Sequence, residues 1–134
     1  MTIGFDLDGT LDHPALAELA KSLIGSGHDV HIITGCFPEA GEWQGHEAKQ
    51  EKLDLLGIPF SISQDTIEPK TATLHILDAV DYKKFPTDYR LRDLGLRKGA
   101  LCFELGIEIY IDNSEDFCKT VPSMNAGVAV LQVR

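Results

Sequence analysis

Residues 3–11 have the sequence IGFDLDGTL, and this stretch decides how the remainder of the chain is interpreted. A short apolar run ends at Asp6, a second acid follows at Asp8, and Gly9 and Thr10 close the stretch. Burying two carboxylates at the tip of a strand costs free energy unless a partner or a ligand compensates for it. We therefore expect Asp6 and Asp8 to mark a functional site on which other polar residues converge.

The composition is that of a folded domain with an acidic surplus. The chain has 134 residues, 43% hydrophobic and 25% charged, which is enough for one hydrophobic core. Its net charge of −9 argues against binding long nucleic acids, although a metal ion would still permit a small phosphorylated substrate.

No apolar run approaches the ~20 residues of a membrane helix, and no basic segment precedes the first apolar residues. The three cysteines form no zinc-type CxxC pair and are expected to be reduced. We expect a cytoplasmic protein without a membrane partner.

Segments of strand and helix type alternate along the chain. Strands are predicted at residues 2–7, 30–34, 60–62, 107–112 and 127–133, and helices at 14–24, 46–56, 98–106 and 114–119. Asp12 is the predicted N-cap of the first helix, whose inner face includes Leu19. Residues 64–96 are interpreted as a short elaboration on the sheet, with 73–80 either a strand or a helix and 87–94 a short helix. The alternation predicts an α/β fold over 1–134, a single doubly wound three-layer sandwich with a mostly parallel sheet.

Polar residues follow three of the predicted strands where each strand ends. Asp6, Thr34 and Asp112 should therefore share the carboxyl edge of the sheet, where ligands bind in folds of this class. Lys98 is predicted to start a helix of about nine residues, which runs back ~13 Å before the next strand climbs ~16 Å to Asp112. The similar lengths place Lys98 near the same edge, with Lys83 and Lys84 as alternatives.

This combination of side chains is suited to phosphoryl transfer. Carboxylates in close proximity repel one another unless a cation lies between them, and oxygen ligands favour Mg²⁺. An ionised aspartate can attack phosphorus, and a second acid can donate a proton to the leaving oxygen and later accept one from water. Lys98 and Thr34 would hold the phosphoryl oxygens while charge develops on them.

Four motifs occur in an order that a known family shares. They are DLDGT at 6–10, ITG at 33–35, Lys98, and the acidic DNSED at 112–116. Over nearly its whole length the chain resembles the haloacid dehalogenase-like phosphatases. The resemblance implies that Asp6 is the nucleophile, that Asp8 is the general acid/base, and that Thr34, Gly35 and Lys98 bind phosphate. It also implies a Mg²⁺ site formed by Asp6, the main-chain carbonyl of Asp8 and Asp112, with Asp116 reinforcing it.

The same resemblance indicates a small enzyme that is capless or minimally capped. Residues 12–29 leave room for one helix only, and 64–96 are too short for a full cap domain. Specificity for a nucleotide or another small phosphometabolite would come from the loop at 36–45 and from 64–96, and a second copy of the chain could close the pocket. Two alternatives stay open: a receiver-like phospho-accepting domain without turnover, and a phosphatase acting on polynucleotide ends or proteins.

Overall fold

The computed structural model describes residues 1–37, 45–62, 70–124 and 127–134. In chain order the described elements are β1 (Thr2–Phe5), α1 (Pro14–Gly25), β2 (Asp29–Cys36), α2 (His46–Leu56), β3 (Phe60–Ser61), β4 (Ala72–Asp78), α3 (Thr87–Leu105), β5 (Ile109–Asp112), α4 (Glu115–Met124) and β6 (Ala129–Gln132). The strands form one sheet in the order β3-β4-β2-β1-β5-β6, and every pair is parallel. This confirms the predicted α/β class.

The helices pack on both faces of the sheet. One apolar cluster joins Ala20 of α1 and Leu53 of α2 to the strands, with Phe5 completely buried. A second cluster joins Cys102 of α3 and Val121 of α4 to the opposite face. The arrangement is that of a doubly wound, Rossmann-like sandwich. Among the described residues, no helix has the combination of length and apolar character that crossing a membrane requires.

The region at 64–96 contributes more to the sheet than the sequence predicted. Its residues 72–78 form a strand, one of the two alternatives, and β4 lies inside the sheet between β3 and β2. Residues 31–36 of β2 pair with residues 73–78 of β4. The strand was hard to recognise because polar Thr73 and His75 interrupt its apolar pattern and are paired with residues of β2.

The two short helices predicted at 87–94 and 98–106 are one helix of 19 residues, α3. Glycine lowers helix propensity, which made Gly95 and Gly99 resemble a break. Both glycines instead face α4: a Cβ atom at Gly99 would lie 2.6 Å from the carbonyl oxygen of Val121, and one at Gly95 would collide with Thr120. The two helices approach closely because neither glycine has a side chain at the contact.

The predictions for the start and inner face of α1 are wrong in two details. His13, not Asp12, is the N-cap residue, and its side chain makes no capping hydrogen bond. Asp12 instead accepts a hydrogen bond of 2.6 Å from the backbone N–H of Gly9, and it forms an ion pair with Lys52. Leu19 is 42% exposed, because the inner face of α1 is formed by smaller alanine side chains and Ile24.

Candidate active site

The carboxyl ends of β2, β1 and β5 bring polar residues to one edge of the sheet. Thr34 and Gly35 lie near the end of β2, Asp6 directly follows β1, and Asp112 is the last residue of β5. β2, β3 and β4 lie on one side of β1, whereas β5 and β6 lie on the other. Ligand sites in open α/β sheets occur where the chain changes direction in this way.

A buried ion cluster lies at this edge. The ammonium group of Lys98 lies 3.0 Å from Asp6 Oδ1 and 3.3 Å from Asp112 Oδ2. Tyr110 donates a hydrogen bond of 2.7 Å to the same Asp112 oxygen, and the ring of Phe117 lies 4.1 Å from the ammonium nitrogen. Lys98 and Asp112 are completely buried, so these charges interact with little screening by water.

Two carboxylates share one ammonium group here, and the pKa values reflect this imbalance. Burial raises the pKa of Asp6 to about 6, with a further contribution from Asp112, although Lys98 acts in the opposite direction. Burial alone would lower the pKa of Lys98, but the charges of the two carboxylates outweigh it and the pKa is raised. Burial likewise raises the pKa of Tyr110 well above its usual value, so its phenol stays a hydrogen-bond donor. The cluster therefore has an excess of negative charge that favours a further cation.

Lys98 reaches the cluster from within α3, not from its first residue. The helix starts at Thr87, so about 16 Å of helix, at 1.5 Å per residue, precedes Lys98. Lys98 still lies near Asp112 as predicted, because the part of the helix that follows Lys98 has the expected length, although the predicted helix start was wrong. Lys83 and Lys84 are exposed in the turn that precedes α3.

Asp8 lies beside the cluster, and two lysines of α2 hold its carboxylate. Lys49, which is 1% exposed, forms an ion pair with Asp8 Oδ2, and Lys52 donates to Asp8 Oδ1 at 2.9 Å. Lys52 also lies 2.8 Å from Asp12. Burial acts to raise the pKa of Asp8, but the hydrogen bonds from the two lysines outweigh it and lower the pKa. Asp8 is therefore ionised at neutral pH.

Lys49 and Lys52 were not among the site residues predicted from the sequence. The partners are separated by 41 and 44 residues along the chain, so no local motif links them. One signal was present: Lys49 is four residues before buried Leu53, which places it on the inner face of the predicted helix. A lysine on an inner face requires a buried partner.

The turn after β1 positions both acids. Gly9 has φ +80°, a conformation that favours glycine, and backbone N–H groups of Thr10 and Leu11 donate to the carbonyl of Leu7. The buried Thr10 hydroxyl donates to Asp6 Oδ2 at 3.2 Å. Gly9 and Thr10 thus orient the Asp6 carboxylate.

Asn113 provides a test of whether a cation fits this site. One terminal atom of its amide lies 3.1 Å from Asp6 Oδ2, 3.1 Å from the main-chain oxygen of Asp8 and 3.3 Å from Thr10 Oγ1. This atom is the amide nitrogen, because in that orientation the amide donates to all three oxygens. The Asp6 carboxylate oxygen and the Asp8 main-chain oxygen thus converge on one point, and such oxygens are the ligands that Mg²⁺ prefers. Rotation of the Asn113 amide would present its own oxygen to an ion at that point. These oxygens therefore fit the expected metal, and Asn113 is a residue of the site that was not recognised from the sequence.

The two other predicted metal ligands are less directly placed. Asp112 Oδ2 accepts from Lys98 and Tyr110, and Asp112 Oδ1 accepts from the backbone N–H of Ser114 at 2.9 Å. A carboxylate oxygen has room for a further contact, so Asp112 keeps some capacity to act as a ligand. Asp116 is exposed and lines a separate cavity with Asp88 and Arg92. The structure therefore does not bring Asp116 together with Asp6.

A cavity of about 150 Å³ opens above these residues. The described residues that line it are Asp6, Asp8, Thr34, Gly35, Phe37, Lys98, Asn113 and Phe117. This volume suits a phosphoryl group, because pockets for whole ligands are typically about 300–1,000 Å³. Of the two segments predicted to give specificity, 38–44 in the first and 64–69 in the second lie outside the described residues.

No protein-family model matches this chain. A search of the curated proteins also returns no match.

Proposed function

We propose that the protein is a Mg²⁺-dependent phosphohydrolase of the haloacid dehalogenase-like type, which cleaves a phosphomonoester through an aspartyl-phosphate intermediate. The observation that carries this proposal is the Asp6 carboxylate. Lys98 lies 3.0 Å from one Asp6 oxygen, and the Asn113 amide lies 3.1 Å from the other. Asp6 also lines the cavity. A buried, oriented and ionisable carboxylate at a phosphate-sized cavity is what in-line attack on phosphorus requires.

In the first step Asp6 attacks phosphorus, and the bond from phosphorus to the leaving oxygen breaks. Lys98 keeps Asp6 oriented and offsets the charge of Asp112 behind it. Thr34 and Gly35 line the wall where the phosphoryl oxygens would lie. The polar groups of these two residues would stabilise the negative charge that develops on the phosphoryl oxygens.

Asp8 is better prepared for the second step than for the first. Its lysine partners keep it ionised, so it can accept a proton from the water that attacks the aspartyl-phosphate. To protonate the leaving oxygen in the first step, Asp8 must itself gain a proton, which its contacts with Lys49 and Lys52 oppose. We therefore expect the first step to depend strongly on how well the leaving group accepts negative charge.

The residues that would hold Mg²⁺ are Asp6, the main-chain carbonyl of Asp8, Asn113 and Asp112. When bound, the ion supplies positive charge that offsets the carboxylates and the incoming phosphate. Asp116 is a proposed outer contributor only, since its side chain lies in a different cavity.

The proposed substrate is a small phosphorylated metabolite, such as a nucleotide. The cavity accommodates the phosphoryl group, so the remainder of the substrate would lie outside it. A net charge of −9 disfavours a long polyanion such as a nucleic acid. A second copy of the chain as the cover, and a cytoplasmic location, belong to the same proposal.

The test is a screen of phosphorylated metabolites with and without Mg²⁺, in the wild type and in Asp6→Asn. We expect Mg²⁺-dependent release of phosphate that the variant loses by at least about 10³-fold, because the covalent route is removed. The matched control is Asp54→Asn, the same chemical change at an exposed residue of α2. Equal turnover in Asp6→Asn would reject the proposal, and a stable phosphorylated protein without turnover would favour the receiver-like alternative.

A further inference from the structure

A second group of potential metal ligands lies beside the candidate active site. It consists of Cys36, the last residue of β2, Asp78, the last residue of β4, and His46, the first residue of α2. One ligand atom of each, the cysteine sulfur, an imidazole nitrogen and a carboxylate oxygen, lies within 4.8 Å of the other two. We propose that these three side chains bind Zn²⁺.

The chemistry of the three ligands distinguishes this site from the proposed Mg²⁺ site, whose ligands are all oxygen atoms. Zn²⁺ binds thiolate, imidazole and carboxylate ligands, whereas Mg²⁺ rarely accepts sulfur. Tetrahedral zinc places its ligand atoms roughly 3.3–3.8 Å apart, given bonds of about 2.0–2.3 Å. Since the observed atoms lie within 4.8 Å of one another, small side-chain rotations would bring them to bonding distance. On binding, the Cys36 thiol releases one proton to solvent and its sulfur bonds to the metal.

Burial also suits a metal site that loads from solution. Cys36 is 3% exposed, so its sulfur would lie beneath the ion and be protected from water. The His46 and Asp78 side chains are 53% and 60% exposed, which leaves a path for the ion and for a water ligand. At present the imidazole Nε2 and Asp78 Oδ1 are 2.9 Å apart, an exposed pair of the kind that contributes little to stability by itself.

All three ligands come from elements whose backbones are fixed. Cys36 and Asp78 are partners in the β2–β4 ladder, and the Cys36 carbonyl accepts a hydrogen bond of 2.8 Å from Ala79 N–H. Arg97 of α3 donates to the Asp78 carbonyl at 2.6 Å. Ligands held by regular elements are preorganised, so little ordering remains to be done when the ion binds.

The proposed ion would be close to the candidate active site without sharing ligands with it. Cys36 directly follows Gly35 and precedes Phe37, and both of these neighbours line the phosphate-sized cavity. His46 is three residues before Lys49, which contacts Asp8. An ion joining β2, β4 and the start of α2 would therefore stabilise the wall of the cavity and the helix that holds Asp8.

The experiment is a zinc titration of the full chain after removal of metals with EDTA, in competition with a chromophoric chelator. We expect one equivalent of Zn²⁺ to bind in the presence of excess Mg²⁺. Cys36→Ser and Asp78→Asn should each weaken zinc binding by at least about 100-fold. Loss of a residue that only hydrogen-bonds to a metal ligand already lowers metal affinity by about 10–100-fold, and loss of a ligand should cost more. Cys118→Ser and His28→Gln are the matched controls and should bind zinc like the wild type.

Two further measurements keep the result unambiguous. Co²⁺ in place of zinc should give thiolate-to-cobalt charge-transfer absorption that Cys36→Ser abolishes and Asp6→Asn retains. The exposed position of Asp78 makes Asp78→Asn informative even if the change at buried Cys36 disturbs folding, which circular dichroism would reveal. Absence of stoichiometric zinc binding, or zinc binding that Asp78→Asn leaves unchanged, would overturn the proposal, as would loss of the site in Asp6→Asn.

Discussion

Replacing Asp6 by asparagine should stabilise the metal-free protein at pH 8 while removing its proposed nucleophile. Asp6 is 6% exposed, and its pKa is raised from 3.8 to about 6, chiefly by burial. Because the folded-state pKa is raised, the carboxyl group favours folding only while protonated, and this contribution is lost as pH rises through about 6. The difference corresponds to about 3 kcal/mol at pH 8 and about half of that at pH 5.

The expected gain for Asp6→Asn in EDTA at pH 8 is about 1–3 kcal/mol, smaller than the full value because the amide loses contacts with Thr10 and Asn113. Urea denaturation at pH 5 and pH 8 measures it as a shift in midpoint at unchanged slope. Comparing variant and wild type at each pH cancels the titration of other groups. The exposed change Asp54→Asn should leave the free energy of unfolding within about 0.5 kcal/mol. A variant less stable than the wild type at pH 8, or a difference that does not grow with pH, would refute the reasoning.

Three further changes test the ionisable groups Lys98, Lys49 and His75. Lys98→Met should destabilise the protein by about 3 kcal/mol at pH 8, because two buried carboxylates lose their counter-ion, whereas exposed Lys83→Met should be neutral in the same urea titration. Lys49→Met should weaken the dependence of turnover on leaving-group pKa across a series of aryl phosphates, because Asp8 becomes easier to protonate; an unchanged slope would contradict the role given to this contact. Burial, aided by a neighbouring histidine, lowers the pKa of His75 to about 4, so the wild type should lose on the order of 1 kcal/mol as pH falls from 6.5 through 4, after allowance for partial exposure. His75→Gln should lack that slope in urea titrations at pH 7 and pH 5, and an equal slope would assign it to another group.

The fold class was predictable from the sequence because strand and helix periods alternate along most of the chain. The same topology explains why the acids at strand ends could be located: in a parallel sheet, Asp6 and Asp112 end at one edge whatever the details of the connections. The continuity of α3 was not predictable, since Gly95 and Gly99 indicate a break locally and are required only by the approach of α4. Local preference and tertiary packing disagree at these two positions, and packing determines the structure.

The electrostatic surroundings of the acids were less accessible to sequence reasoning than their positions. Lys49 and Lys52 contact Asp8 across more than forty residues, so their effect on its protonation appears only once the chain is folded. Asn113 belongs to a motif whose acidic residues were the predicted ligands, yet its amide lies 3.1 Å from the Asp6 carboxylate, whereas Asp116 lines a different cavity. Both cases depend on three-dimensional contacts between elements that no spacing rule describes.

The most direct test of the proposed mechanism is to trap the covalent intermediate on Asp6. An acyl phosphate reacts with hydroxylamine, so quenching the protein during turnover with Mg²⁺ and substrate should convert the phosphorylated aspartate to a hydroxamate that peptide mass spectrometry can locate. We predict the modification at Asp6, dependent on both substrate and Mg²⁺ and absent from the Asp6→Asn variant. Phosphate release that proceeds without modification of Asp6, or with modification of a different residue, would contradict the mechanism.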